Sequence, residues 1–93
     1  MAASILLNMV KARLNRTDSA LDEYLTERIN AAIDELTGAG IHLEATAGDN
    51  MLVVDLTVWR YQNRDKGDEQ PKWLRQTIRE RWLQDKGGLY CDS

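Results

Sequence analysis

The chain has 93 residues, of which 43% are hydrophobic, a formal net charge of −3 and one cysteine, Cys91. A chain of this length forms one domain with a modest core, and a single cysteine excludes an internal disulfide, as is usual in a reducing cytosol. No stretch reaches the ~18 apolar residues of a membrane span, and the start lacks the basic residues of a signal peptide, so we expect a soluble intracellular protein without a membrane partner.

An amphipathic helix is predicted at the start of the chain. Ser4 is a competent N-cap, and apolar residues recur at spacings of three and four between Ile5 and Leu14. The pattern breaks over residues 15–18, where we expect this first helix to end.

A second helix is predicted from about residue 19, after three competent N-caps at residues 17–19. Asp22 and Glu23 place negative charge in its first turn, and Gly38 and Gly40 are expected to end it. Its apolar stripe is the most regular in the chain and consists of Leu21, Leu25, Ile29, Ala32, Ile33 and Leu36.

The segment after the second helix carries a short alternating pattern. Ile41, Leu43 and Ala45 alternate with His42 and Glu44. The alternation predicts either one short strand or an extended loop. A strand here would need a pairing partner from another subunit or from the apolar run that follows.

The longest apolar run, residues 51–59, is predicted to be the buried element on which the others pack. Alternating apolar residues within it would suit a strand. The run continues without a turn signal to residue 65, and it follows Gly48 and Asp49, of which Asp49 is a good N-cap. A helix is therefore predicted, with a strand as the alternative.

Pro71 is expected at the first position of a last helix, which glycines at 87 and 88 end. Residues 1–88 are thus predicted to form a single helical domain, and residues 89–93 a short mobile tail. The fold class predicted is all-α: a small bundle of about four helices around a buried central helix, with one short extended segment as an option. Its predicted core consists of Leu25, Ile29, Ile33, Leu52, Leu56, Trp59, Leu74, Ile78 and Trp82.

Charge is distributed unevenly along the chain. Residues 17–36 hold six carboxylates and one arginine, a net charge of −5, whereas residues 71–86 hold five cations and two carboxylates, a net charge of +3. Opposite charges on two helices predict either a pair within the chain or a head-to-tail contact between copies. The sequence leaves both possibilities open.

Few residues point to chemistry. Asp55, a carboxylate inside the apolar run, is expected either to pair with Arg75 or Arg79 or to reach solvent. His42 and Cys91 are the only histidine and cysteine, and they lack the spacing of metal ligands or of a nucleophile and its base. No cofactor, metal or catalytic residue is therefore expected.

Three short motifs share an order and spacing with a known family. The first is the turn Arg16, Thr17, Asp18, which precedes a helix ending in Leu36, Thr37 and Gly38. The second is the apolar helix VVDLTVWRYQNRD, which ends in Tyr61, Asn63 and Arg64. The third is Pro71 with Trp73 and Leu74, at the start of the last helix. Together, over residues 5–83, they resemble the phage head-tail connector, or adaptor, family. The loop of residues 38–50 and the tail after residue 88 depart from the family's pattern.

The resemblance implies a structural subunit and not an enzyme. Such a subunit would form a ring of about a dozen copies under the portal protein, join the DNA-filled head to a downstream stopper or tail-completion protein, and let DNA pass without sequence-specific binding. Its place would be the virion, and the host cytoplasm during assembly. The residues expected at subunit or portal contacts are Tyr61, Arg64, Lys72, Arg75, Arg79, Asp22, Glu23 and Glu27.

Two other functions stay open at this point. The basic last helix would also suit a small nucleic-acid-binding or regulatory protein, although the sequence pI of about 5.0 argues against it. A chaperone-like interaction module that shares only the helical pattern is the third reading. Tyr61 also has a plain structural interpretation, as a core ring with its hydroxyl near water.

Overall fold

A computed structural model describes residues 3–44, 46–65 and 70–86. Within them the chain forms four α-helices and no strand, which confirms the all-α prediction: α1 Ala3–Arg13, α2 Asp22–Gly38, α3 Ala47–Gln62 and α4 Lys72–Asp85. No helix in this part of the chain is long and apolar enough to cross a membrane. The predicted helix-ending glycines 87–88 and the predicted tail lie outside the described residues.

Helix α3 is the centre of the core, and the strand alternative for residues 51–59 is wrong. It buries six consecutive or near-consecutive side chains: Leu52, Val53, Val54, Leu56, Thr57 and Val58. Four of these are β-branched, a type that disfavours a helix slightly, so burial and not propensity makes this segment helical. The buried Thr57 hydroxyl donates a hydrogen bond to the Val53 carbonyl at 2.8 Å, which satisfies it within the helix.

The start of α3 differs from the prediction. Asp49 is not the N-cap, because the helix begins two residues earlier, at Ala47, and Thr46 caps it by accepting a hydrogen bond from the Asp49 N–H at 3.2 Å. The Asp49 carboxylate is thereby left for a different role, in contact with α4.

Helices α1, α2 and α3 each pack on the other two, whereas α4 packs mainly on α3. Among the residues expected in the core, Leu25, Ile29, Leu52, Leu56 and Leu74 are buried. Ile33, Trp59, Ile78 and Trp82 are partly buried and pack against that cluster. The buried cluster also takes in Leu6, Val10, Ala32, Leu36 and Ile41.

The turn between α1 and α2 is set by Asn15, which has a positive φ of 57°. The Asn15 N–H donates to the Ala12 carbonyl and the Arg16 N–H to the Lys11 carbonyl, the two bonds of a Schellman helix end. The predicted start of α2 near residue 19 is wrong, and so are its predicted caps at 17–19. The helix starts at Asp22 after Leu21, which has no side-chain capping bond.

Helix α2 ends in a second Schellman motif, with Gly40 at φ 98°. The Ile41 N–H donates to the Leu36 carbonyl, and both side chains are buried, so the motif carries the hydrophobic contact that commonly accompanies it. Residues 41–44 form no strand. They run as an extended loop that buries Ile41 and leads back to α3.

Helix α4 begins at Lys72. Pro71 is its N-cap and not, as predicted, its first helical residue. The Pro71 carbonyl accepts from the N–H groups of Leu74 and Arg75. Leu74 is the only side chain of α4 that is fully buried among the described residues, and the helix is otherwise largely polar.

The partner expected for Asp55 is also wrong. Its carboxylate accepts from Arg13 Nη1 at 2.8 Å, and neither Arg75 nor Arg79 reaches it. The reason is packing: the end of α1, not α4, lies beside this face of α3. The carboxylate is therefore neither unpaired nor simply exposed to solvent.

Candidate interaction surfaces

Three carboxylates form a row on the outer face of α2, which we call the acidic stripe: Glu23, Glu27 and Asp34. They are separated by four and seven residues, so they share one face of the helix, and all three are exposed. None of the ion pairs between described residues includes them. This row is consequently available to an outside partner.

Two other acidic residues of α2 are already engaged. Asp22, expected at a subunit contact, lies 2.9 Å from Lys11 Nζ on α1. Glu35 accepts from Arg60 Nη2 at 2.7 Å. Both pairs join α2 to its neighbours within the chain. Asp22 stays a predicted contact residue, and Asp34 is a further exposed carboxylate on the same helix.

Three cations form a matching row on α4, the basic stripe: Lys72, Arg75 and Arg79. Spacings of three and four place them on one face, and all three are exposed. They line an open groove together with Gln76, Glu80 and Leu83. Among the described residues none of the three cations has an ion-pair partner. The Trp73 side chain, which lies roughly 100° or more around the helix axis from the three cations, is 52% exposed.

The two stripes do not meet within one copy of the chain. Helix α4 starts near the end of α2, where Gln70 Nε2 lies 3.4 Å from Glu35 Oε2. No ion pair between the described residues nevertheless joins α2 to α4. Of the two possibilities that the charge distribution left open, the intrachain pair is not what the described residues form.

A different set of contacts holds α4 in place, and we call it the polar clamp: Asp49, Arg81, His42 and Asp85. Arg81 Nε donates to Asp49 Oδ1 at 2.6 Å and Nη2 to Oδ2 at 3.1 Å, a bidentate pair. The same Nη2 reaches the His42 carbonyl at 2.7 Å, and the His42 N–H donates to Asp85 Oδ2 at 3.1 Å. The clamp joins α4 to both the 41–44 loop and the first turn of α3.

The electrostatics of the clamp follow from this geometry. The hydrogen bonds from Arg81 hold the pKa of the Asp49 carboxyl below its ordinary value, although burial opposes them, and the Glu44 N–H at 2.7 Å adds to the lowering. The same pair raises the pKa of Arg81. Both groups therefore stay charged, and their ion pair holds α4 against α3.

Sequence reasoning missed the clamp although one signal was present. Leu74, Ile78 and Arg81 are spaced by four and three residues, which places an arginine on the apolar stripe of α4. A guanidinium on such a face needs a buried carboxylate. The candidate carboxylate, Asp49, also fits the pattern of a helix N-cap, which hides this role in the sequence.

The residues at the end of α3 contact one another, the backbone of the last turn and Tyr24. Arg64 lies with its guanidinium carbon 4.2 Å from the centroid of the Tyr61 ring and donates to the Tyr61 carbonyl. Asn63 Nδ2 donates to the Trp59 carbonyl at 2.8 Å, and the Tyr24 ring packs edge-on against Tyr61 at 6.1 Å. These contacts close the helix end, and the contact with Tyr24 places Tyr61 beside α2.

The described residues contain no group of three or more histidine, cysteine, aspartate or glutamate side chains that could hold a metal ion. His42 is exposed and contributes its backbone to the clamp, and Cys91 lies outside the described residues. What the surfaces offer is charge and an exposed indole, the features of a docking surface.

Comparison of the chain with protein-family models, with curated proteins and with solved structures finds no match. The resemblance to the connector family stays a prediction from the motifs.

Proposed function

We propose that the protein is a structural subunit that assembles with copies of itself, and that it serves as a head-tail connector of a tailed phage or prophage. The observation that carries the proposal is the pair of stripes: three carboxylates on α2 and three cations on α4, exposed and unpaired among the described residues. Complementary patches on different faces of one subunit favour a heterologous contact, which closes into a ring when the rotation between copies permits.

The motifs over residues 5–83 supply the biological setting of this proposal. A ring of such subunits would lie under the portal protein and dock a downstream stopper protein, with DNA passing through its lumen. A lumen that exposes carboxylates would repel phosphates and let DNA slide. No catalytic step is part of the proposal.

The test is deletion of the gene from its parent phage or prophage, followed by electron microscopy of the induced lysate. We expect heads and tails that are both present but unjoined, and heads that lose packaged DNA. Expression of the intact gene from a plasmid is the control and should restore joined particles. Normal tailed virions from the deletion strain would contradict the connector function.

One observation favours a second function, nucleic-acid binding by α4. A row of cations without ion-pair partners among the described residues, on a helix that also exposes a tryptophan, would suit contacts to a nucleic-acid backbone and stacking on a base. Binding of the full chain to duplex and single-stranded DNA, measured by fluorescence anisotropy at 50 and 200 mM salt, separates the two functions. An affinity that is measurable and falls steeply with salt would favour this second function.

A further inference from the structure

A groove of about 280 Å³ lies between the end of α2, the 41–44 loop and α4. Two cations of the basic stripe, Arg75 and Arg79, line it on the α4 side. Its apolar lining consists of four side chains: Ala39, Ile41, Ile78 and Trp82. A cavity of ~150 Å³ holds a benzene ring, so this groove has room for an aromatic side chain.

The end of α4 lies beside this groove. Lys86 Nζ donates to the Gly40 carbonyl at 3.1 Å and lies 5.9 Å from the centroid of the Trp82 ring. Spacings of four and seven residues put Lys86 on the same face of α4 as Trp82 and Arg79. The chain that follows residue 86 therefore leaves α4 next to the groove.

We propose that residues 87–93, GGLYCDS, fold back along α4 and dock in this groove. The Tyr90 ring lies among the apolar side chains, and the Asp92 carboxylate contacts Arg79. This docked segment replaces the mobile tail that the sequence predicts. The inference goes beyond the proposed function, since it concerns a single copy of the chain and holds whether or not the protein is a connector.

The glycines after α4 suit a change of chain direction. Lys86 is the C-cap of α4, so Gly87 stands at the position after it, where helices commonly end with a left-handed glycine. The end of α2 shows this arrangement in the same chain. There the C-cap Ala39 precedes Gly40 at φ 98°, and the Ile41 N–H that follows donates back to the helix. The same order of residues after α4 directs the chain back toward the helix.

The reach of the segment fits the groove. An extended chain advances about 3.3 Å per residue and a helix about 1.5 Å. After a two-glycine turn, Tyr90 lies level with Trp82, about 6 Å back from the end of α4. Asp92 then lies level with Arg79, about 10 Å back. Because they are two residues apart, Tyr90 and Asp92 point to the same face of an extended segment, here the groove.

Charge complementarity favours this occupant. Asp92 is the only charged residue among residues 87–93. Neither Arg75 nor Arg79 has an ion-pair partner among the described residues. An aromatic ring followed by a carboxylate matches an apolar groove lined by cations. A short tether also gives an effective concentration on the order of millimolar, so a partner that binds this groove must displace the segment.

The first experiment uses the full chain with a nitroxide spin label on Cys91, its only cysteine. Residues 39–41 border the groove, whereas residues 46–48 lie on the opposite side of α4 near the same helix end. A docked segment should abolish the NMR amide signals of residues 39–41 and keep those of residues 46–48. Equal broadening on both sides would overturn the proposal. So would broadening only between labelled and unlabelled copies, since it would place the segment on a second chain.

Protection of Tyr90 from chymotrypsin is an independent test, with release of residues 91–93 followed by mass spectrometry. Ala39→Trp fills the groove and should speed release by about tenfold or more, because proteolysis follows the population of the open form. Ala31→Trp, the same change at an exposed alanine of α2 outside the groove, is the matched control and should leave the rate unchanged. Circular dichroism should show both variants folded, and equal release rates would overturn the docking.

The ion pair is tested by exchanging its charges. Arg79→Glu should speed release by about two- to fivefold, the range of an exposed ion pair. Lys72→Glu changes the net charge equally, about 10 Å further along α4, and should have no effect. Arg79→Glu added to Asp92→Arg should slow release relative to Asp92→Arg alone, and these two chains share one cleavage sequence. Equal effects of Arg79→Glu and Lys72→Glu would overturn the contact of Asp92 with Arg79.

Discussion

Helices α3 and α4 are attached to the molecule in opposite ways. Helix α3 is buried along most of its length and contributes seven buried side chains, six of them between Leu52 and Val58, to contacts with its neighbours. Helix α4 buries Leu74 alone, packs mainly on α3, and is fixed by the polar clamp between Arg81 and Asp49. Apolar burial is non-directional, whereas a bidentate ion pair fixes one geometry. The three-helix body therefore supplies stability, and the clamp sets where α4 presents its basic stripe.

The largest expected effect is at the centre of α3. Leu56→Ala removes a fully buried side chain and should lower the free energy of unfolding by about 2–5 kcal/mol, since a cavity is left behind. Urea denaturation followed by circular dichroism measures it. Met51→Ala, on the same helix but 45% exposed, is the control and should change stability little. Equal losses from both would contradict the assignment of α3 as the core.

The second-largest loss of stability is expected when the polar clamp is broken. Asp49→Asn should cost roughly 2 kcal/mol at pH 7 because it removes charge-assisted bonds from a buried site. The pKa of Asp49 is lowered in the folded chain, so its contribution is present above the ordinary unfolded value of about 3.9 and is lost as pH falls through the folded pKa. The gap between wild type and variant should therefore shrink in acid. Asp18→Asn, an exposed aspartate, should show no comparable gap, and a gap independent of pH would refute the ion pair.

A substitution at Gly40 tests the turn that ends α2 and leads into the 41–44 loop. Gly40→Ala should cost about 1–2 kcal/mol, since φ is 98° and the new Cβ would lie 3.1 Å from Trp82 Nε1. Gly38→Ala, in the same turn, meets no neighbour within 4 Å and lies inside the helix, so it should raise stability slightly. Thermal unfolding of both variants checks the opposite signs, and the same sign for both would be evidence against the described turn.

Removal of a helix N-cap should lower stability by a smaller amount, and the loss should occur at Thr46 but not at Thr17. Thr46→Ala should lower stability by about 1 kcal/mol, because Thr46 accepts the Asp49 N–H. Thr17→Ala, at a position that sequence alone marked as a cap, should have almost no effect. Comparable losses from both would mean that α2 begins earlier than Asp22.

The smallest effect is expected at Asp55. Its partner Arg13 is 42% exposed in the side chain, so Asp55→Ala should cost about 0.5 kcal/mol or less. Combining it with Arg13→Ala should add nothing further if the two side chains interact only with each other. Full additivity of the two losses would show that the pair contributes no coupling.

These expectations show how far the sequence alone reaches. The helix period of α2 is visible in the order of its apolar residues, because a helical face repeats every three to four positions. Residues 51–59 are apolar on nearly all sides and show no such period, so the length of the run, and not its pattern, predicts the helix there. The partners of Asp49 and Asp55 are not visible, since they depend on which helix lies beside α3. Local signals also misled at residues 17–19, where three competent caps precede a helix that uses none of them.

The surface charges could also be predicted only in part. The sequence shows the excess of carboxylates along α2 and of cations along α4, and it gives the three residues of the basic stripe directly. That Asp22 is occupied by Lys11, and that Asp34 is exposed, required the packing of α1 on α2.

An apolar three-helix body carries a fourth helix that a polar clamp holds, and native-state hydrogen exchange can separate these two parts of the molecule. We predict that backbone amides of α3 exchange only through global unfolding, that those of α4 exchange sooner by local opening, and that Asp49→Asn accelerates α4 much more than α3. Equal protection of α3 and α4, with Asp49→Asn accelerating both alike, would show one cooperative core and contradict the claim.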